Sequence, residues 1–148
     1  MTDSYEILKL DSQLCFPLYA VSREVVKRYK PFLDEIDLTY TQYITMMVLW
    51  EERKLLVKEL GAKLFLDSGT LTPVLNALEK KGHVLRKRSE TDKRDMYVIL
   101  TEQGLALREQ AAGIPAKMGA CLAIPPDDAM TLYRILHEMM DKFDDKMK

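Results

Sequence analysis

Cysteine is nearly absent from this chain of 148 residues: Cys15 and Cys121 are the only two. They lie far apart in sequence, so they form neither a metal-binding knuckle nor a disulfide framework. Histidine is equally scarce. His137 has no carboxylate–histidine spacing that suggests a metal, and His83 follows a glycine in what reads as a surface turn near the basic block described below. There is no P-loop, no HExxH, no G-x-S-x-G and no dinucleotide fingerprint. Neither cysteine stands in a thioredoxin-like strand pattern, and no basic residue lies within one turn of Cys15. No metal, cofactor or enzymatic activity is therefore expected. The longest dense apolar patch, ITMMVLW, is far too short to span a bilayer, and no internal repeat or low-complexity linker is visible. The opening stretch MTDSYEILKLDS has no basic n-region and no apolar h-region. The expected compartment is the cytoplasm, where thiols stay reduced unless they do redox work. Neither charge sign prevails: 22 Lys and Arg stand against 23 Asp and Glu, for a net charge of −1.

What is present is an ordinary globular composition, 47% hydrophobic and 30% charged, long enough for one domain with a real core. The distribution of charge is more informative than its sum. From Lys80 to Arg94, seven Lys and Arg face only Glu90 and Asp92, a local net of +5, so the remainder is acidic. A basic block in a neutral chain is either a solvated hairpin or the electrostatic footprint of a polyanionic partner.

Helical periodicity dominates. A first helix is predicted from about Ser12 to Tyr29, with Leu14, Cys15, Leu18, Tyr19, Val25, Val26 and Tyr29 in register. Pro17 places Cys15 close to a helix start or a bend. A short helix, a break near Asp37–Thr39 and a helix carrying Trp50 follow. LLVKELGAKLF reads as a third short helix with Leu56, Leu60 and Leu64 aligned. In DSGTLTPVLNALEKKG a fourth helix buries Leu71, Val74, Leu75 and Leu78 and ends at Gly82. Its start is open between a cap at Asp67 or Ser68 and a cap at Thr72 with Pro73 first. Two β-prone runs, His83–Arg88 and Met96–Leu100, flank a charged turn and predict a hairpin with a long basic tip. Thr101 caps a helix running to about Ala120 or Cys121, bent near Gly113 and Pro115. The last helix starts at Pro126, with Asp127 and Asp128 suited to its dipole. Its stripe of Ala129, Leu132, Tyr133, Leu136, Met139, Met140 and Phe143 calls for a partner: the first helix, another subunit, or both.

Three short helices followed by a basic hairpin is the order of a winged helix-turn-helix, so the fold class is mainly α with a small β-hairpin wing. Opposite the buried row of the fourth helix stand Pro73, Asn76 and Lys80, flanked by Thr72. With Ser68 and Thr70 near its start, these suit base-edge and phosphate contacts. In the wing, Arg86, Lys87, Arg88, Lys93 and Arg94 are placed to neutralise phosphates. The stretch LDSGTLTPVLNALEKKGHVLRKRSETDKRDMYVILTEQG closely resembles the MarR family. That resemblance implies a single domain over 1–148. Dimerisation helices at 1–35 and 102–148 flank a winged helix-turn-helix at 38–101, as an obligate homodimer on a pseudo-palindromic double-stranded operator. It also implies that Asp92 orients Arg94 toward the minor groove.

Cys15 sits on an apolar helix face, the usual place of a small buried hydrophobe. Three features point elsewhere. It lies near a helix N-terminus, where the dipole favours an anion. Tyr19 shares its face, and phenol donors recur at Tyr29, Tyr40 and Tyr43. Tyr29 stands about 21 Å along the same helix, so it meets Cys15 only from a second subunit running antiparallel. A thiolate held by phenols in an apolar pocket suits a nonpolar peroxide, which oxidises it to sulfenic acid. The stretches QLCFPLYAVSRE, RYKP, DLTYTQY and FLDSGTLTP resemble the OhrR-type organic hydroperoxide sensors within the MarR family. By that resemblance Cys15 is the reactive thiol, the partner subunit supplies Tyr29 and Tyr40, and Tyr19 and Phe16 line the pocket. Cys121 matches the subtype with a resolving cysteine. In the other subtype a low-molecular-weight thiol completes the switch.

These readings converge on a dimeric repressor that binds its operator when reduced and releases it when organic hydroperoxide oxidises Cys15. The competing readings are a MarR-type regulator released by a reversible phenolic ligand, a broader redox-responsive regulator of stress or virulence genes, and a thiol peroxidase.

Overall fold

The computed structural model describes residues 4–147, the last three as backbone alone. The expected domain's outermost residues, 1–3 and 148, lie outside the described residues. Two single 3-10 turns, Glu6–Leu8 and Leu10–Ser12, precede helix α1, Cys15–Asp34. The helix thus begins at Cys15 rather than Ser12, with Pro17 in its first turn, where a missing N–H costs no intrahelical bond. It also runs past Tyr29 and absorbs the short helix expected after it. Pro31 sits in its last turns and costs one hydrogen bond there. Leu33, 2% exposed, and the half-buried Phe32 anchor that end in the core, so packing overrides the local preference.

Helix α2, Tyr40–Glu52, opens with a capping box. The Thr39 hydroxyl accepts from the Gln42 N–H at 3.3 Å and the Gln42 side-chain Oε1 accepts from the Thr39 N–H at 3.2 Å. Next comes a strand that the periodicity did not signal, β1, Lys54–Leu56, and then α3, Val57–Leu64. Helix α4, Ser68–Lys80, is capped by Asp67, whose Oδ1 accepts from the Thr70 N–H at 2.7 Å. That settles the open choice against Thr72, whose hydroxyl instead donates to the Ser68 carbonyl one turn back. Gly82, with φ +86°, takes the left-handed conformation that turns the chain out of α4. Strands β2, Val84–Arg88, and β3, Met96–Leu100, form the expected hairpin, and β1 pairs with β3 to give the antiparallel order β1-β3-β2.

Thr101 caps helix α5, Glu102–Ala111. Its hydroxyl accepts from the Gly104 N–H at 3.0 Å and donates to the Gly82 carbonyl at 2.7 Å. The continuous helix expected from here to Cys121 is broken at Ala112–Gly113, and α6, Ile114–Leu122, starts afresh with Pro115 in its first turn. Gly104 allows α5 to press on the turn before the wing, because a Cβ there would collide with the His83 carbonyl. The Trp50 indole N–H donates to the Gly104 carbonyl at 2.9 Å and ties α2 to the same point. The core joins Leu33, Met46, Leu49, Leu60, Leu71, Leu75, Leu78, Val84 and Val98, each side chain worth about 1.5–3 kcal/mol of burial.

Helix α7, Pro126–Met147, stands apart. Of its described side chains, all but Ala129, Met139 and Asp144 are exposed. Met130, Tyr133 and Phe143 are 72%, 64% and 51% exposed. The outer face of α1 is likewise open, with Leu14, Val21 and Tyr19 more than half exposed, while its inner side packs on α2 and α6. Among the described residues most of the stripe on α7 is therefore exposed in the single chain. No helix among the described residues is long and apolar enough to cross a membrane.

Candidate DNA interface and thiol site

The buried row of α4 is Leu71, Val74, Leu75 and Leu78, which leaves Thr72, Pro73, Asn76 and Lys80 exposed on the opposite face, with Ser68 and Thr70 exposed at its start. This is the face periodicity predicted. The wing tip is held by Ser89, whose hydroxyl accepts from the Thr91 N–H at 3.2 Å and the Asp92 N–H at 3.3 Å. Asp92 then fixes Arg94. Its Oδ1 accepts from the Arg94 backbone N–H at 3.0 Å and from Nε at 3.2 Å, and its Oδ2 accepts from Nη2 at 3.1 Å. The guanidinium holds the Asp92 carboxyl below the ordinary carboxylate range, and the Arg94 side chain still projects, 89% exposed. A fork-on-fork pair of this kind aims a cation without neutralising its outward face. Lys58 ties α3 to the wing through Asp95 at 3.0 Å. Lys87, Arg88 and Lys93 are exposed, with Arg88 donating to the Lys93 carbonyl at 2.7 Å.

Two expectations need correction. Arg86 does not stand free for phosphate: its guanidinium turns back onto Glu79 and Asn76. His83 is not a surface turn. It is 8% exposed, and its Nδ1 has no hydrogen-bond partner among the described residues. Burial, then the Lys81 charge, pushes its titration below the ordinary histidine value, so the ring is neutral near pH 7. The turn just before β2 that carries it, pressed by α5 at Gly104, gave no local sign of burial.

Cys15 is the first residue of α1, and its thiol is free and exposed. At the other end of the same helix Tyr29 meets Tyr40 with ring centroids 5.0 Å apart and Tyr43 at 5.7 Å, and Tyr43 meets Trp50 edge-on at 6.4 Å. Tyr43, 3% exposed, is the buried anchor of this cluster. The sequence showed it as one of several phenols and assigned it no role. Its signal was the Tyr40–Tyr43 spacing on one face of α2. Burial raises all three phenols above their ordinary range, and Tyr29 adds to this for Tyr40 and Tyr43. At neutral pH they remain protonated and able to donate.

The chain does not bring Cys15 to Tyr29: they stand fourteen positions apart on one unbroken helix, about 21 Å. Tyr19 is held by Arg23, which donates to its hydroxyl at 2.9 Å and lies 5.5 Å over its ring. With Phe16 and Ala20 they line an open groove along α1. Cys121 lies in the last turn of α6, exposed and free. No group of side chains able to hold a metal occurs among the described residues.

Comparison with known proteins adds three findings. The family described as transcriptional regulator SarA/Rot matches residues 27–110. Over 146 residues, 99% of each chain, the sequence is 42% identical to the organic hydroperoxide resistance transcriptional regulator of Bacillus subtilis (strain 168). Over 133 residues, 90% of each chain, it is 44% identical to the HTH-type transcriptional regulator SarZ of Staphylococcus aureus (strain USA300). Among solved structures, reduced AbfR bound to DNA superposes with a TM-score of 0.77 at 33% identity, covering 95% of this chain and 99% of that one. The disulfide-formed AbfR superposes with a TM-score of 0.60 at the same identity, covering 91% and 95%.

Proposed function

The chain belongs to the MarR family, with the organic hydroperoxide and SarA/Rot-type regulators, and from that premise we propose how its own residues perform the switch. As a dimer it binds double-stranded DNA, represses, and responds to organic hydroperoxide through thiol oxidation. The observation that carries the assignment to Cys15 is α1 itself. One unbroken helix has an exposed thiol at its first residue, a cluster of phenols near its last turns and an uncovered apolar face between. Two such helices packed antiparallel bring each Cys15 to the partner's Tyr29 and Tyr40, whose protonated hydroxyls donate to the thiolate.

The chemistry balances with no cofactor. The Cys15 thiolate attacks the outer oxygen of R–O–O–H. The S–O bond forms, the O–O bond breaks, and the leaving alkoxide takes a proton to become the alcohol. The resulting sulfenic acid is then attacked by the Cys121 thiolate, which forms S–S and releases hydroxide, protonated to water. Bridged Cα atoms lie within about 7 Å, and in this scheme Cys121 and the α6–α7 joint move to meet that limit. Movement of α7 carries the dimer frame, and with it the roughly 34 Å spacing of the two α4 helices. The higher superposition score on the reduced, DNA-bound relative than on its disulfide form supports reading this conformation as the DNA-competent one. The protein is then a cytoplasmic regulator oxidised once per thiol, not a turnover enzyme.

The DNA half is tested by Arg94→Ala. On a duplex selected from a randomised library, the variant dimer should lose about two counterions, one per wing. The slope of log K against log salt should therefore become shallower by about 1.8. An unchanged slope would remove Arg94 from the interface.

A further inference from the structure

We propose that Asn76 reads guanine in the major groove, through a side-chain amide that Arg86 locks with its donors facing outward. This rests on the DNA-binding reading above. The lock begins at Glu79 on α4. Its Oε2 accepts from the Arg86 backbone N–H at 3.0 Å and from Nε at 3.3 Å, and its Oε1 accepts from Nη2 at 3.3 Å. Arg86 lies in β2, paired with Val98 of β3, so its guanidinium is pinned between the recognition helix and the wing. From there Nη2 donates to the Asn76 Oδ1 at 2.6 Å.

A guanidinium has donors only, so the atom facing it must be the amide oxygen, and the flipped orientation would oppose two N–H groups. Asn76 is exposed on the DNA-facing side of α4. With its oxygen engaged and the Arg86 charge behind it, it offers the two N–H donors of Nδ2. The bidentate asparagine–adenine pair needs the oxygen to accept from the adenine amino group, and here that oxygen gives one of its two lone pairs to Arg86 and is held on the Arg86 side of the amide. Guanine presents two acceptors, N7 and O6, cytosine presents a donor, and thymine presents one acceptor beside a methyl. Donors-out asparagine therefore favours guanine. Arg86 is a positioning residue in this scheme, not a phosphate contact.

The test is selection of a randomised duplex library by the full-length dimer, followed by sequencing. The wild type should enrich a symmetric site with guanine at one base pair per half-site. Asn76→Ala should relax that position roughly tenfold and leave the others unchanged. Asn76→Asp keeps an oxygen for Arg86 and turns an acceptor outward, so it should exchange guanine for cytosine at the same position. Asn76 is exposed, so neither change disturbs the core. If Asn76→Ala leaves every preference intact, or Asn76→Asp retains guanine, the proposal is overturned while DNA binding stands. If the wild type enriches no site, the DNA-binding reading falls and this proposal falls with it.

Discussion

Replacing Cys15 by serine should leave binding of the reduced protein to its DNA intact and abolish release by organic hydroperoxide. Cys15 is exposed at the first position of α1 and is not one of the buried core residues, so loss of the sulfur costs the fold little. A serine hydroxyl is neither a thiolate nor oxidisable by a hydroperoxide, so the first bond of the switch never forms. In the wild type, one equivalent of cumene hydroperoxide should lower affinity about a thousandfold, which corresponds to ~4 kcal/mol of differential binding. Fluorescence anisotropy with and without the peroxide separates the cases. A Cys15→Ser protein that still releases DNA on peroxide would move the sensing thiol elsewhere.

Leu136→Glu should split the dimer and with it DNA binding. Leu136 belongs to the α7 stripe, which is largely exposed among the described residues. In the dimer as proposed, two copies of such a stripe supply the missing burial. A carboxylate there must be desolvated without a partner, which costs several kcal/mol per subunit, and symmetry doubles the effect. Sedimentation should show a monomer with helical content preserved, because the core from Leu33 to Met118 lies within one chain. Affinity for a two-half-site duplex should fall by about 10²–10⁴, the usual worth of linking two binding modules. A stable dimer with unchanged affinity would place the interface away from α7.

Much of this frame was legible in the sequence, for reasons particular residues make plain. The α4 stripe, the β-prone runs either side of a charged turn, and the cap at Thr101 are local signals, and each appears where expected, whereas the start of α4 stayed open until the structure showed Asp67 as its cap. What failed was non-local. Strand β1 exists because Leu55 and Leu56 pair with Val98 and Tyr97, more than forty positions on. Taken alone, that segment looks like the start of α3. The first helix is expected to stop at about Tyr29 because local rules cannot see the core that holds Leu33. Arg86 was counted among the free cations because charge tallies carry no direction. Only the fold turns it onto Glu79. The meeting of Cys15 with the partner's Tyr29 and Tyr40 is a proposal about the dimer, and a single chain, which keeps the thiol and the phenols at opposite ends of α1, does not display it.

The measurement that bears most directly on the switch is intact mass under non-reducing conditions, after one equivalent of cumene hydroperoxide and no added thiol. A covalent dimer is predicted, two hydrogens lighter per Cys15–Cys121 bridge. A monomer heavier by ~16 Da, with the oxygen on Cys15, would keep the sensing thiol and hand resolution to a small cellular thiol. No change in mass would contradict the redox switch altogether.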